Sequence, residues 1–384
     1  MAIQFIDLKV QQQRIYDSLL NNIKGVLKHG QYIMGPEIKD LEERLGGYVG
    51  VRHAVACSSG TDALSMALMA YGVGPGDAIF TTPFTFVATA EVVSLLGATP
   101  VFVDIDPRTY NIDPVCLEKA ISALEKKDPK IYPLPKGYEE LNPKGIIAVD
   151  LFGQSAEYDR INEIAAAQGL FVLEDAAQSF GAQYQGKKSC SLADIAATSF
   201  FPAKPLGCYG DGGMVFTDND DLYEKLMSVR VHGKGSDKYD NIRIGLNGRC
   251  DTLQAAILLA KFDIFPEEID LRQQVAMRYT ELLSDAESIT CPYVAEGCTS
   301  AWAQYSILSG KRSEIQNALK DEGIPTAIYY PTPLHLQTAY NYLGYGAGDF
   351  AVSEEKAIMI FSLPMHPYLK EKDQAQIAEI IRSV

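Results

Sequence analysis

Lys204 stands in the run Ser-Phe-Phe-Pro-Ala-Lys-Pro-Leu-Gly (199–207), between two prolines and ahead of Gly207, Gly210, Gly212 and Gly213. The prolines fix the local backbone, and the glycines allow close approach of another segment or a ligand. A lysine kept from water there loses its proton more readily than a surface lysine and can form a Schiff base with an aldehyde. Most lysines are solvated surface charges, and that reading stays open on spacing alone. Glu174-Asp175 close the apolar run LFVLED. A carboxylate at the end of a buried strand is costly unless it meets a cation. A protonated pyridine nitrogen is one such cation; an acidic helix cap is the ordinary alternative. Ser58-Ser59-Gly60-Thr61-Asp62 follows another apolar run and opens a helical pattern. Free N–H groups at a helix start can bind phosphate, although Ser, Thr and Asp are also common N-caps. Gly245-Leu-Asn247-Gly-Arg249 precedes a further helical pattern. It reads as a turn and cap, or as an arginine fork for a carboxylate or phosphate.

The elements that must position these residues show as short apolar runs alternating with helical patterns. The runs are 54–57, 78–82, 100–105, 145–152, 170–176, 195–201 and 213–217. Near-continuous apolar strands interleaved with helices predict an α/β fold, with a mostly parallel central sheet covered on both faces. Ligands in such sheets lie beyond the carboxyl ends of the strands, which is where Ser59, Asp175 and Lys204 fall. After Asp251 two long amphipathic helical patterns are followed by a strand WAQYSILS, a helix, a second strand TAIYY (326–330) and a closing helix. The expected organisation is an N-terminal helix (1–30) packing with the small domain, a large domain (31–265) and a small C-terminal α/β domain (266–384). Residues 126–144 hold four prolines and no periodicity, and read as a long surface excursion.

The 384 residues carry a net charge of −15, which opposes a nucleic-acid or anionic-membrane surface. The seven cysteines are scattered and form no CxxC pair, so neither disulfides nor a metal site is expected. No signal-peptide pattern opens the chain and no run approaches a membrane span, so a cytoplasmic location is expected. No GxGxxG opens the first βαβ unit, which excludes a dinucleotide-binding oxidoreductase.

In this order and spacing the motifs resemble those of the DegT/StrS-type sugar aminotransferases, which have the aspartate-aminotransferase fold (fold type I). The resemblance runs from FIDLK and GQYIMGPEIKDLE to SLPMHPYL. It is specific around SGTDAL, TTPFTFVATAE, EDAAQSFGA, TSFFPAKPLGCYGDGG and NGRCDTLQAAIL. It implies pyridoxal 5'-phosphate as cofactor, with pyridoxamine phosphate as its aminated form. Lys204 would be the Schiff-base lysine and proton shuttle, and Asp175 the partner of the pyridinium nitrogen. Gln178 would face the ring hydroxyl and Phe86 would stack on the ring. Ser59, Gly60, Thr61 and Ser199 would hold the phosphate, joined by Asn247 from a partner subunit in a homodimer with shared sites. The reaction would be ping-pong, with an amino acid (glutamate) as donor and a nucleotide-linked keto sugar as acceptor.

Within the family, the stretches IRIGLNGRCDTLQAAILL, TAIYYPTPL and SLPMHPYL are most similar to enzymes that aminate C3 of a UDP-linked 2-acetamido-3-oxo-hexuronic acid, for surface polysaccharide such as lipopolysaccharide O-antigen. Arg249, Tyr329, Tyr330 and His335 would then contact the substrate, and Lys234, Lys238 and Arg243 could meet the pyrophosphate. Tyr329 departs from the histidine expected there, which keeps C4 amination of a 4-keto-6-deoxy sugar as the alternative. The related sugar dehydratases replace the lysine with histidine, so Lys204 weighs against that branch. A non-catalytic cofactor-binding regulator would require lost catalytic residues or an added binding segment, and neither is seen.

Overall fold

The computed structural model describes residues 3–237 and 239–384. Seven strands build the central sheet: β1 (His53–Cys57), β2 (Asp77–Thr81), β3 (Thr99–Phe102), β4 (Asn142–Val149), β5 (Phe171–Asp175), β8 (Ile195–Ser199) and β9 (Gly213–Thr217). Between them, β6 (Gln183–Tyr184) and β7 (Lys187–Lys188) form a small sheet with β10 (Cys298–Thr299). The central order is β1-β9-β8-β5-β4-β2-β3, and only β9 runs against its neighbours. β5 is buried at every position because helices cover both faces, which is why Phe171–Leu173 are apolar without alternation before the two acids that end it. One apolar cluster joins Ile79, Ile147 and Leu173 to Leu64, Ala67 and Val92. On the other face Phe80, Ile146 and Val172 meet Leu117, Ile121 and Ile161. The carboxyl ends of β1, β5 and β8 are thereby fixed along one edge of the sheet, with β9 between β1 and β8.

The small domain differs from expectation. Its two strands are β11 (Tyr305–Leu308) and β12 (Ile360–Leu363), paired antiparallel. Residues 326–330 do not form a strand; Ala327 makes a single bridge to Ser362. Pro331 and Pro333 follow at once, and prolines restrict the residues before them and cannot donate to a ladder. The N-terminal segment also divides. The helix Tyr16–His29 lies on the large-domain helix Thr252–Phe262 through Leu19, Ile257 and Ala260, rather than on the small domain. Only the residues before it reach the small domain: Phe5 O accepts from Met365 N at 3.1 Å, and Ile3 joins the cluster of Tyr279, Tyr305 and Phe361. The helix Phe265–Leu283 joins both cores, with Phe265 in the large one and Val275, Tyr279 and Leu283 in the small one. The 126–144 excursion connects the helix Pro114–Lys126 to β4, but it is anchored: Tyr132 is buried, and its hydroxyl accepts from Asp104 N at 2.8 Å.

Candidate active site

Asp175 ends β5 and is 5% exposed. Its carboxylate accepts from Thr89 Oγ1 at 2.8 Å and from Ala177 N at 3.2 Å. Burial raises its pKa, while those two hydrogen bonds and Lys204 oppose the rise. Lys204 lies five residues past β8, on the loop that Pro202 and Pro205 stiffen, with its N–H held by Phe201 O at 2.9 Å. Desolvation lowers its amine to about 8, against a smaller opposite pull from Asp175. An amine poised there is neutral often enough to attack a carbonyl near neutral pH.

The rest of the cleft follows by contact. Gln178 Oε1 accepts from Phe152 N at 2.7 Å, and its Nε2 donates to Tyr330 Oη at 3.1 Å. The Tyr330 ring stands 6.4 Å from Phe86, which is 55% exposed although most phenylalanines of this chain are buried. Phe86 lies one helical turn before Thr89, the donor to Asp175, so it overhangs the same cleft. Ser59 caps the helix Gly60–Ala70 by accepting from Asp62 N at 3.0 Å. The N–H groups of Gly60 and Thr61 have no acceptor within the helix, as at any helix start. A Cβ on Gly60 would come within 2.6 Å of Ser199 Cβ, and one on Gly213 within 2.3 Å of Ser59 O. These glycines let β8 and β9 press the Ser199 end against the helix start, forming a small cradle for an anion. Lysine, carboxylate, exposed ring and anion cradle together fit pyridoxal phosphate: each polar part of that molecule meets a complementary group.

Other expected residues lie apart. Asn247 is exposed, and its Oδ1 accepts from Arg249 Nε at 2.9 Å; both lie along the outer edge of β1, where Gly248 O accepts from Ser58 N at 3.1 Å. Tyr329 is partly buried, 6.5 Å from Phe5 by ring centroids. His335 departs from expectation. Its side chain is fully buried, hydrogen-bonded to Glu354 Oε1 at 3.0 Å and packed on Phe350, so it braces the 334–354 segment rather than facing a substrate. Lys234 and Arg243 lie on the loop after the helix Asp220–Val229, while Lys238 lies outside the described residues. Sequence reasoning missed Thr89, though it sits inside the quoted TTPFTFVATAE motif. It also missed the backbone of Phe152, whose hold on Gln178 leaves no sequence signal. All seven cysteines are free. Among the described residues no group of three or more His, Cys, Asp or Glu could hold a metal ion, and no helix is long and apolar enough to cross a membrane.

Comparison with known proteins gives the family. Residues 13–382 match the DegT/DnrJ/EryC1/StrS aminotransferase family. The chain is 50% identical over 367 residues to the UDP-2-acetamido-2-deoxy-3-oxo-D-glucuronate aminotransferase of Pseudomonas aeruginosa, covering 96% of each protein. It superposes on the crystal structure of a DegT DnrJ EryC1 StrS aminotransferase from Brucella abortus with a TM-score of 0.94, at 50% identity and covering 99% of each chain. The Bacillus subtilis protein ntda, solved with the bound cofactor PMP, gives a TM-score of 0.85 at 30% identity, covering 99% of this chain and 83% of the other.

Proposed function

This chain belongs to the DegT/DnrJ/EryC1/StrS aminotransferase family, and from that premise we propose that it binds pyridoxal phosphate and moves an amino group from glutamate to C3 of a UDP-linked 2-acetamido-3-oxo-hexuronic acid. The observation that carries the cofactor reading is the pairing of a desolvated Lys204 with a buried Asp175 across one cleft. Pyridoxal phosphate, when bound, supplies an aldehyde that carries the amino group and a ring that accepts the electrons of a broken C–H bond. Asp175 would hold a proton on the ring nitrogen, and Thr89 and Ala177 fix its two oxygens for that task. Lys204, once its amine is free, takes the proton from the donor's carbon and returns it to the sugar carbon. Gln178 is oriented by Phe152 and Tyr330, and the exposed Phe86 ring beside Tyr330 would cover a face of the cofactor ring. Ser59, Gly60, Thr61 and Ser199 hold the phosphate.

The C3 uronate reading rests on the 50% relative and on Arg249, whose planar fork suits a carboxylate. A homodimer with shared sites accounts for Asn247 and Arg249. They stand at an exposed edge beside Ile33, which bridges Asp251 and is itself exposed, so on a partner they would reach its cradle. The protein would act in the cytoplasm. The test offers the UDP-linked 3-keto uronate and a UDP-linked 4-keto-6-deoxy sugar, in reverse as amino sugars if the ketones are unstable, and compares kcat/KM. Preference for the uronate that Arg249→Lys largely removes supports the assignment. A preference for the 6-deoxy sugar overturns it.

A further inference from the structure

Asp150 and Glu174 are carboxylic residues with no exposed surface, and among the described residues neither is in an ion pair. Two buried charges without a cation are costly, so their protons must be accounted for. Asp150 follows β4, and Glu174 immediately precedes Asp175 in β5, on the opposite face of the sheet. Between the two carboxyls run two serine hydroxyls. Glu174 Oε1 lies 3.0 Å from Ser189 Oγ, Ser189 Oγ lies 2.5 Å from Ser179 Oγ, and Ser179 Oγ lies 2.8 Å from Asp150 Oδ2.

Ser189 Oγ also approaches Asp150 Oδ2, at a long 3.5 Å; the three close oxygen–oxygen contacts need three hydrogens, and the two serines supply two. The third must sit on a carboxyl. The neighbours decide which one. Asp150 already faces three donors, Ala156 N at 3.0 Å, Tyr158 Oη at 2.9 Å and Ser179 Oγ, which is the environment of an ionised carboxylate. Glu174 has fewer: Oε1 accepts from Cys190 N at 2.6 Å and Oε2 from Leu192 N at 3.0 Å, and a proton on Oε1 would fill its remaining contact, 3.0 Å to Ser189 Oγ. The hydroxyl chain then runs in one direction, from Glu174 through Ser189 and Ser179 to Asp150.

We propose that Asp150 and Glu174 form a carboxyl pair holding one proton, carried by Glu174, which positions Asp175 and Gln178 and places one fixed negative charge behind them. The connections are direct. Asp150 N donates to Asp175 O at 3.1 Å, and Ser179 follows Gln178 in the chain. Burial and the Asp150 charge push Glu174 well above the carboxylate range, whereas Asp150 rises to about 6. Tyr158, Cys190, Asp175 and Cys298 are the titratable groups facing the pair, and burial raises each of them too. The shared proton is independent of the proposed function. Its consequence, a ring nitrogen that keeps its proton to higher pH, rests on that reading.

The experiment is infrared spectroscopy of the holoenzyme at pH 7.5, with and without carboxyl-13C glutamate. A protonated-carboxyl band that shifts with the label and disappears in Glu174→Gln is expected. No such band overturns the proposal, whatever the cofactor or substrate proves to be. The second readout is the pH titration of the bound chromophore. Asp150→Asn removes the charge and should lower the transition by about one pH unit, while Glu174→Gln, which leaves Asp150 charged, moves it less. A purely structural pair would lower thermal stability in both variants and leave the transition in place, and that result overturns the electrostatic role. If Asp150→Asn does not fold, Ser179→Ala removes one donor from Asp150 and should shift the carboxyl band; an unmoved band counts against the pair.

Discussion

Replacing Asp175 with asparagine should make Lys204 more reactive and the enzyme far less active. The amine of Lys204 is lowered to about 8 by desolvation, and the Asp175 carboxylate pulls it the other way. At pH 7 a pKa of about 8 leaves roughly a tenth of the amine neutral, against about 0.03% for an ordinary lysine near 10.5. Asparagine has nearly the same shape: its Oδ1 can accept from Ala177 N, and Thr89 Oγ1, which also meets Thr85 Oγ1, can turn to accept from its amide N–H, so the loss is chiefly one of charge. Removing that charge moves the Lys204 pKa further down, and the neutral fraction at pH 7 can rise at most about tenfold. The assay strips the cofactor and follows imine formation with a phosphate-free aromatic aldehyde from pH 6 to 9, trapping the adduct on Lys204 with borohydride for mass spectrometry. Asp175→Asn should react up to about tenfold faster at pH 7, with its pH profile displaced to lower pH. Turnover of the holoenzyme should fall by roughly 100-fold or more, because the same carboxylate is needed at the ring nitrogen. An unchanged or upward-shifted profile would refute the electrostatic coupling of the two residues.

Gly60→Ala places a methyl within 2.6 Å of Ser199 Cβ and should weaken cofactor retention at least tenfold, measured by dialysis against free cofactor, at a stability loss of about 1–3 kcal/mol. His335→Ala breaks a buried pair with Glu354 and should cost about 2 kcal/mol in urea unfolding with KM for the sugar unchanged. A raised KM at unaltered stability would return His335 to the substrate. Lys204→Ala should abolish turnover by several orders of magnitude. Mixed with Asn247→Ala it should regain partial activity, since some dimers then carry both defects in one site and none in the other. No regain despite demonstrated subunit exchange would place Asn247 within its own chain's site.

The apolar runs located all seven strands of the central sheet to within a few residues, because a strand buried on both faces must be apolar throughout and its helices must intervene to make it parallel. That rule also put Ser59, Asp175 and Lys204 at one edge of the sheet, while the specific motifs around them carried the family resemblance. What failed were pairings between distant segments. TAIYY is as apolar as Ile360–Leu363, yet only the latter ladders with Tyr305–Leu308, since prolines end the former and Tyr330 turns toward Gln178. The helix Tyr16–His29 carries an apolar stripe that fits either domain, and contact with Ile257 and Ala260 decides between them. His335 and Glu354 are 19 residues apart, and nothing local says that one is buried against the other. Glu174 reads in the sequence as one more acid at a strand end. Only the fold brings Ser189, Ser179 and Asp150 beside it and thereby fixes how many protons the four groups share. Local pattern determines which surface each element must bury; which partner buries it, and which charges meet as a result, is settled when the chain closes on itself.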